Sequence, residues 1–364
     1  MVDYAFCRIP SARLFHLTGK WMVFGESRRL LSPPAGDWEI GGVMAGLTAI
    51  VVGFLVSLVL ALLSLVILWY ADRYEKEPVR LVTLAFGGGL IVAPLLAWLL
   101  ELAFGVPRTL APLLLDRFPL TGPNYTGAAI DELAKWVVLL AVTWRWRDEL
   151  DDALDGLVYG GVIGAGYALA QASVYYVQLL GIASVVRLDI GTIWALALSG
   201  MLNCVFTGVA GALIGYGAGL LGGRGGQLGG ALVGLVVAVL YHLGWVAVVR
   251  QGVPGPAALS AALITLLTWA GLLFLVGVVL WALQHERAVI RWALAEEVQR
   301  GVLSETELRQ LLTGGHRLGG GERAKLAVEL AFAKWRLAQG RATPETVTVL
   351  REELQTRKAE GGAA

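Results

Sequence analysis

Long apolar runs separated by short polar segments make up most of the chain between residues 41 and 283. A helix needs about 20 apolar residues to cross the hydrocarbon core of a bilayer. Seven runs reach that length without the alternation of barrel strands, so we expect a helix in each. The predicted spans cover roughly residues 41–70, 81–104, 125–144, 156–181, 190–221, 227–249 and 256–283. The predicted fold class is all-α: a polytopic membrane helix bundle of about seven transmembrane helices with a small cytoplasmic helical C-terminal region.

The same pattern divides the chain into three predicted parts. These are an N-terminal tail over residues 1–38, a transmembrane helical bundle over 39–283 and a soluble helical C-terminal tail over 284–364. The last boundary is abrupt, because the segment from Gln284 onward is amphipathic rather than apolar. Within this tail, Ser304 and Glu307 have the spacing of a capping box, in which each side chain bonds the other's backbone amide at a helix start.

Basic residues near the ends of the spans predict the orientation in the membrane. The loops after the first, third and fifth spans, together with the C-terminal tail, carry more lysine and arginine than the alternate loops. We therefore expect the C-terminus in the cytoplasm and the N-terminus outside, although Arg28 and Arg29 before the first span oppose this orientation.

The composition excludes several classes of protein. Hydrophobic residues make up 57% of the chain and charged residues 16%, whereas soluble domains are close to half apolar and about a quarter charged. The net charge of +1 gives no basis for a nucleic-acid partner, and the lipid bilayer is the expected surrounding. Two cysteines, Cys7 and Cys204, are too few for a disulfide framework or a thiolate zinc cage.

Three ionisable residues, Asp131, Glu132 and Lys135, lie in the third predicted span. Ionisable groups inside a membrane are expensive to insert and mark functional positions by default. Helical spacing lets Lys135 reach both carboxylates. Two adjacent carboxylates in a low dielectric resist joint ionisation, which suits a general base and acid. The alternative is a buried ion pair that only orients helices.

Three further polar residues lie in three different predicted spans. His242 is in the sixth run, Gln171 in the fourth and Asn203 in the fifth. Each taken alone could be a hydrogen-bonded interior side chain. Because they fall on separate helices, a bundle can bring them together with the charged residues of the third span at one interior site.

Glycines predict where helices approach closely. Gly156, Gly160 and Gly164 repeat every four residues, as do Gly211, Gly215 and Gly219, which is typical of close helix packing in membranes. We assign the run 87–89 to packing or a local kink rather than to a phosphate loop. Asp155 is predicted to cap the helix that starts at Gly156.

Several segments together resemble the PrsW family of intramembrane proteases, which belongs to a wider group with the CAAX-processing and bacteriocin-processing enzymes. The matching stretches are residues 69–78 (WYADRYEKEP), 131–135 (DELAK), 155–160 (DGLVYG) and 285–290 (HERAVI). The resemblance implies an integral protein of the bacterial plasma membrane that hydrolyses peptide bonds in a membrane-protein substrate.

The first two catalytic motifs of that family are partly retained. Its Glu-Glu-x-x-Lys pattern is Asp131, Glu132 and Lys135 here, so one glutamate is an aspartate. Its Phe-x-x-x-Glu pattern is Tyr167 and Gln171, so a carboxylate has become an amide. An amide cannot exchange a proton near neutral pH.

The last two motifs depart further. Asn203 stands where the family usually has histidine, and the closing His-x-x-x-Asp/Asn pattern keeps His242 but ends in Val246. A three-ligand zinc site is hard to build from these residues, so we expect no cofactor, with zinc as the alternative. The resemblance implies Glu132, Asp131 and His242 as catalytic residues, with Lys135, Gln171, Asn203 and Tyr167 in support.

Three functions stay open at this point. The first is an active endopeptidase in which Glu132 activates a water and His242 stabilises charge or donates a proton. The second is a catalytically inactive relative that binds or escorts membrane segments as clients. The third is a transporter or channel, which polar residues on several helices allow, although no inverted repeat is visible.

Overall fold

Helices account for nearly all of the chain that the computed structural model describes, namely residues 40–72, 74, 77–104, 125–146, 150, 152–180, 190–221, 223–251, 257–314 and 321–361. No β-strand occurs within these ranges, as expected for an all-α fold. The first seven helices of the bundle are α1 (Ile40–Ala71), α2 (Val79–Gly87), α3 (Ala93–Ala103), α4 (Tyr125–Arg145), α5 (Ala153–Leu180), α6 (Ile190–Leu221) and α7 (Gly223–Gln251). They are followed by α8 (Ala257–Gln299), α9 (Glu305–Gly314), α10 (Gly321–Ala338) and α11 (Pro344–Gly361).

Six helical segments in the described ranges are long and apolar enough to cross a membrane. They are Val51–Ala71, Val79–Ala103, Ala153–Val174, Gly200–Gly219, Gly225–Val248 and Leu266–Gln299. The fold class is therefore confirmed as a polytopic membrane helix bundle. The remaining predicted span is α4, which is helical over 21 residues but carries four charged side chains, Asp131, Glu132, Lys135 and Arg145. That α4 crosses the membrane stays a prediction.

The second apolar run is interrupted by a wider turn. Between α2 and α3 the chain forms a π-helix over Gly88–Val92. At Gly89 a Cβ atom would overlap the backbone of Ile163 in α5, so only glycine allows this approach. The sequence-based assignment of residues 87–89 to packing or a kink is confirmed.

Helices α5 and α6 pack against each other through their glycines. A Cβ at Gly156 would overlap the carbonyl of Gly211, one at Gly160 the carbonyl of Thr207, and one at Gly164 the carbonyl of Asn203. The predicted close approach is confirmed, and it brings the Asn203 backbone directly against α5.

The predicted start of α5 is wrong. The helix begins at Ala153, and Asp152 caps it by accepting hydrogen bonds from the amides of Leu154 (2.6 Å) and Asp155 (3.2 Å). Asp155 lies in the first turn and accepts the Asp152 amide at 3.0 Å. The apolar run begins at Gly156, but the cap precedes it because a helix start is set by backbone amides rather than by hydropathy.

The C-terminal helices share a second apolar core with one end of the bundle. Ile290 of α8, Phe332 of α10 and Leu354 of α11 are buried in it together with Leu154 of α5 and Tyr74. Helix α8 continues 16 residues past the predicted boundary at residue 283, since it ends at Gln299. Residues from Gly46 to Ala364 form one compact unit, and only residues 40–45 of the preceding unit are described.

Hydrogen bonds hold the tail to the connection after α1. Tyr74 donates to the carbonyl of Leu312 at 2.9 Å, and Arg287 Nε donates to the Tyr74 hydroxyl at 2.9 Å. The end of α1 therefore lies on the same side of the bundle as the C-terminal helices. The assignment of that side to the cytoplasm and the boundaries of the three parts stay predictions. The proposed N-terminal tail, residues 1–38, lies outside the described residues.

The capping box at the start of α9 is confirmed. Glu307 Oε2 accepts the Ser304 amide at 2.7 Å, and Ser304 Oγ accepts the Glu307 amide at 3.1 Å. Arg323 of α10 donates to Glu307 at 2.9 Å and to the carbonyls of Val302 and Leu354, both at 2.7 Å. One guanidinium thus joins the start of α9 to α11.

The capping box makes the stability of the tail depend on pH. Burial would raise the pKa of Glu307, but the Ser304 amide and the Arg323 guanidinium outweigh it and hold that pKa below 4.5. Because the folded pKa is lowered, this stabilisation is present above pH 4.5 and is lost as pH falls further. Glu307→Gln should lower the thermal midpoint of the full chain at pH 7, and the difference from wild type should shrink below pH 4.5.

Tryptophan fluorescence would follow this unfolding. Glu305→Gln is the matched control, because Glu305 lies in the same turn but is exposed and pairs with Arg309 on the surface. If Glu307→Gln lowers the thermal midpoint equally at pH 7 and pH 4, the stabilisation does not come from the ionised Glu307 carboxylate.

Candidate functional site

Side chains from three helices meet at Lys135, which is fully buried. Its Nζ atom donates to Glu132 Oε1 at 2.6 Å, within α4, and to Asn203 Oδ1 of α6 at 2.7 Å. Asn203 Nδ2 in turn donates to Gln171 Oε1 of α5 at 3.0 Å and to the Gly200 carbonyl at 3.1 Å. A continuous polar chain therefore runs from Glu132 to Gln171 across the interior.

His242 of α7 joins the same cluster. Its Nδ1 atom lies 2.7 Å from Glu132 Oε1, so the atom that accepts from Lys135 also accepts from the imidazole. The His242 side chain is 11% exposed, against 1% for Glu132 and 0% for Lys135. Among these three residues, His242 is the one that approaches the surface of the protein.

Asp131 has a hydrogen-bond partner on another helix. The Tyr167 hydroxyl of α5 donates to Asp131 Oδ1 at 2.6 Å, which ties α4 to α5. The Lys135 ammonium lies 5.1 Å from the centre of the Tyr167 ring and faces it. The π-electron face of the Tyr167 ring adds a favourable electrostatic contact for the buried Lys135 ammonium.

The structure thus brings together all the sequence-predicted site residues. Hydrogen bonds connect Glu132, Lys135, Asn203, Gln171 and His242, and Asp131 and Tyr167 lie beside them. Val246, one turn beyond His242, is buried and apolar.

Aromatic residues beside His242 were missed in the sequence. The Phe206 ring stacks on the imidazole with centroids 4.7 Å apart, and Trp245 meets it edge-on at 6.3 Å. Each lies three positions after a polar site residue, Asn203 or His242, so helical spacing could have placed them on the same face. Glu101 of α3 is also buried, and the rule that flags ionisable residues in spans would have found it.

The family model described as PrsW family intramembrane metalloprotease matches residues 77–283, more than half of the chain and including every member of the cluster. The chain belongs to the PrsW family. No curated protein and no solved structure matches it. As a PrsW-family chain with six apolar helices that can span a bilayer, it is an integral membrane protein carrying an intramembrane protease domain.

The PrsW family description names a metal, and the residues present do not fit one. Within the described ranges no three His, Cys, Asp or Glu side chains are grouped to hold an ion. The side chains that continue the cluster beyond Glu132 and Lys135 are the amides of Asn203 and Gln171, which are weak metal ligands. The Lys135 ammonium, 2.6 Å from Glu132 Oε1, would repel a second cation there.

Without a metal, the cluster retains the components for moving protons. A carboxylate and an imidazole in hydrogen-bond contact can share a proton, as in many hydrolytic sites. Lys135 compensates the charge of Glu132 in a region where an isolated carboxylate would be costly. The amides of Asn203 and Gln171 fix the position of Lys135 but exchange no proton themselves.

Proposed function

We propose that this chain is an intramembrane endopeptidase in which Glu132 and His242 act together to activate a water molecule. The observation that carries this proposal is the 2.7 Å contact between Glu132 Oε1 and His242 Nδ1. The two residues are 110 positions apart on α4 and α7, and the contact joins an ionisable group of each helix inside the bundle.

The proposed reaction needs one proton acceptor and one proton donor. The Glu132–His242 pair takes a proton from water as the water oxygen attacks the peptide carbonyl carbon. The same proton then goes to the leaving amine nitrogen as the carbon–nitrogen bond breaks. Because His242 is the more exposed member, we place the approach of water and substrate on its side of the pair. The Lys135 ammonium, 2.6 Å from Glu132 Oε1, offsets the charge of the carboxylate between turnovers.

The substrate class proposed is a single-span membrane protein or a shortened precursor. A helical peptide hides its carbonyl groups in its own hydrogen bonds, so the segment near the cluster must unwind before water can attack. We also propose a bacterial plasma membrane, which the family resemblance implies. The C-terminus is proposed to lie in the cytoplasm, which the distribution of basic residues supports. Reporter domains fused to the C-terminus would test that orientation.

A fluorogenic membrane peptide tests the reaction. The probe is a leucine-rich single-span peptide with a central Ala-Ser-Ala segment between a fluorophore and a quencher, reconstituted with the full chain in liposomes. Glu132→Gln and His242→Ala should each lower the hydrolysis rate by about 10²–10⁴-fold, the usual contribution of general acid–base catalysis. His285→Ala is the matched control, since His285 stacks on Trp281 outside the cluster. Equal hydrolysis by wild type and Glu132→Gln would remove Glu132 from the mechanism.

A second candidate function is a catalytically inactive relative that binds or escorts membrane segments. It is favoured by Gln171 and Asn203, which stand where the family pattern has glutamate and usually histidine, and by Val246, which stands where it has aspartate or asparagine. A silent wild type, together with hydrolysis by the variant Gln171→Glu, Asn203→His, Val246→Asp, would favour this second function. Robust hydrolysis by wild type that His242→Ala abolishes would exclude it.

A further inference from the structure

The aromatic ring of Phe206 interacts with two members of the polar cluster. Phe206 is 2% exposed and lies on α6, three positions after Asn203, so the two side chains share one face of that helix. Its ring stacks on the His242 imidazole of α7, with centroids 4.7 Å apart and an angle of 21° between the ring planes. The Lys135 ammonium of α4 lies 5.6 Å from the centre of the same ring. One apolar side chain of α6 therefore meets ionisable groups of two other helices.

Hydrogen bonding alone does not fix the plane of the His242 ring. Lys135 Nζ donates to Glu132 Oε1 at 2.6 Å, and His242 Nδ1 lies 2.7 Å from the same oxygen. Because Lys135 already supplies that oxygen with a donor, His242 can turn away without leaving the oxygen unpaired. A single hydrogen bond also lets the imidazole rotate about the line that joins Nδ1 to the carboxylate. Another contact must select the plane of the ring.

The aromatic neighbours of His242 supply that contact. The Phe206 ring stacks on the imidazole, and Trp245 meets the imidazole edge-on with centroids 6.3 Å apart. Phe206 is itself held, because the Tyr241 ring packs edge-on against it with centroids 5.2 Å apart. The Tyr241 hydroxyl in turn donates to the Leu267 carbonyl of α8 at 2.7 Å. Stacked rings have a preferred geometry, so the plane of Phe206 sets the plane of His242.

The plane of the imidazole decides where its second nitrogen points. An ionised carboxylate only accepts hydrogen bonds, so a bond from His242 to Glu132 places the ring proton on Nδ1. In the neutral ring the lone pair is then on Nε2, which is the nitrogen that can take a proton from water. Rotation about the Nδ1–carboxylate line moves Nε2 but keeps the bond to Glu132. Misplacing a reacting group by about 1 Å can cost about 10²-fold in rate.

We propose that Phe206 is the positioning residue of the Glu132–His242 pair, and that its ring holds the imidazole in the plane that directs Nε2 toward the attacking water. The proposal rests on the proposed protease function. Phe206 acts through His242 and touches no reacting atom. Its loss should therefore lower kcat and leave KM nearly unchanged, because the orientation of the imidazole matters for the transition state and not for substrate binding.

NMR of the full chain with isotope-labelled histidine, in liposomes, tests the positioning without relying on hydrolysis. The chain has four histidines, and His242→Ala identifies the signals of His242. Wild type should show one tautomer, with the proton on Nδ1, and a carbon-bound proton shifted upfield by the ring current of Phe206. In Phe206→Leu and Phe206→Met the upfield shift should vanish and both tautomers should appear. Phe206→Tyr, which keeps the ring, should give the wild-type signals.

Hydrolysis of the fluorogenic single-span peptide gives the kinetic result. Phe206→Leu should lower kcat by about 10- to 100-fold with KM within about threefold of wild type, and Phe206→Tyr should keep most of the wild-type rate. Phe332→Leu is the matched control, because Phe332 is 4% exposed in the core that the tail shares with the bundle. It loses a buried ring in the same way, so it should lower the thermal midpoint but leave kcat and the His242 signals unchanged.

The outcomes separate this proposal from the enzymatic one. Wild-type His242 signals in Phe206→Leu, or no ring-current shift in wild type itself, overturn the positioning role. A raised KM with unchanged kcat also overturns it, because Phe206 then acts on substrate binding. An equal loss of kcat in Phe332→Leu overturns it as well, since general destabilisation is then the cause. The expected His242 signals with no hydrolysis by wild type support the hold of Phe206 on the imidazole and overturn the protease function.

Discussion

A Lys135→Met variant should lose about 3–5 kcal/mol of unfolding free energy, the usual cost of removing one partner of a buried ion pair. Lys135 is fully buried and its Nζ atom donates to both Glu132 and Asn203. Without the ammonium, the Glu132 carboxylate stays in the interior with His242 as its remaining side-chain partner among the described residues. Unfolding in detergent mixtures, followed by the fluorescence of the 13 tryptophans, would measure the loss.

The control for this prediction neutralises both partners. The double variant Glu132→Gln, Lys135→Met leaves no unpaired charge, so it should recover most of the stability that Lys135→Met loses. The recovery measures the coupling between the two charges. If the single and double variants are equally unstable, the loss comes from packing around Lys135 and the ion pair is not the cause.

A Gly211→Ala variant should lose about 3 kcal/mol, the upper end of the range for overpacked cores. Its Cβ would overlap the carbonyl of Gly156, and backbone cannot move aside as a side chain can. Helices α5 and α6 would have to separate, which would also draw Asn203 of α6 away from Gln171 of α5. We expect lower stability and lower hydrolysis together in this variant.

Gly229→Ala provides the matched control on α7. A Cβ there meets open space, and alanine favours a helix over glycine by about 1 kcal/mol, so stability should stay level or rise. Opposite signs for Gly211→Ala and Gly229→Ala would show that the contact, and not the loss of glycine, is responsible. Equal effects at both positions would contradict the close packing.

The sequence could predict which residues form the cluster because lipid tolerates few polar groups. Asp131, Glu132, Lys135 and His242 stood out against apolar spans, and burial away from lipid brings such residues to the same interior. The partners within the cluster could not be predicted, since they depend on the rotation of each helix. Lys135 bonds Asn203 of α6, and Asp131 is bonded by Tyr167 of α5, contacts that spacing along one helix does not contain.

Helix ends were predicted less well than helix positions. The apolar run of the last span ends at residue 283, but α8 continues to Gln299 because its apolar face passes from lipid to the buried face of the tail. The hydropathy of the sequence falls where the surroundings change, so it predicts a boundary there, although the helix continues through that position.

The shared core of tail and bundle has a consequence for how the chain evolves. The family match ends at residue 283, inside α8. Leu154, which lies within the match, and Tyr74, which lies just before it, nevertheless pack against the C-terminal helices. A substitution at Leu154 changes the surface that those helices must fit, and contacting residues do not change stability independently. The segment beyond the match and the bundle must therefore diverge together, and an exchange of tails between relatives would need matching changes at the end of the bundle.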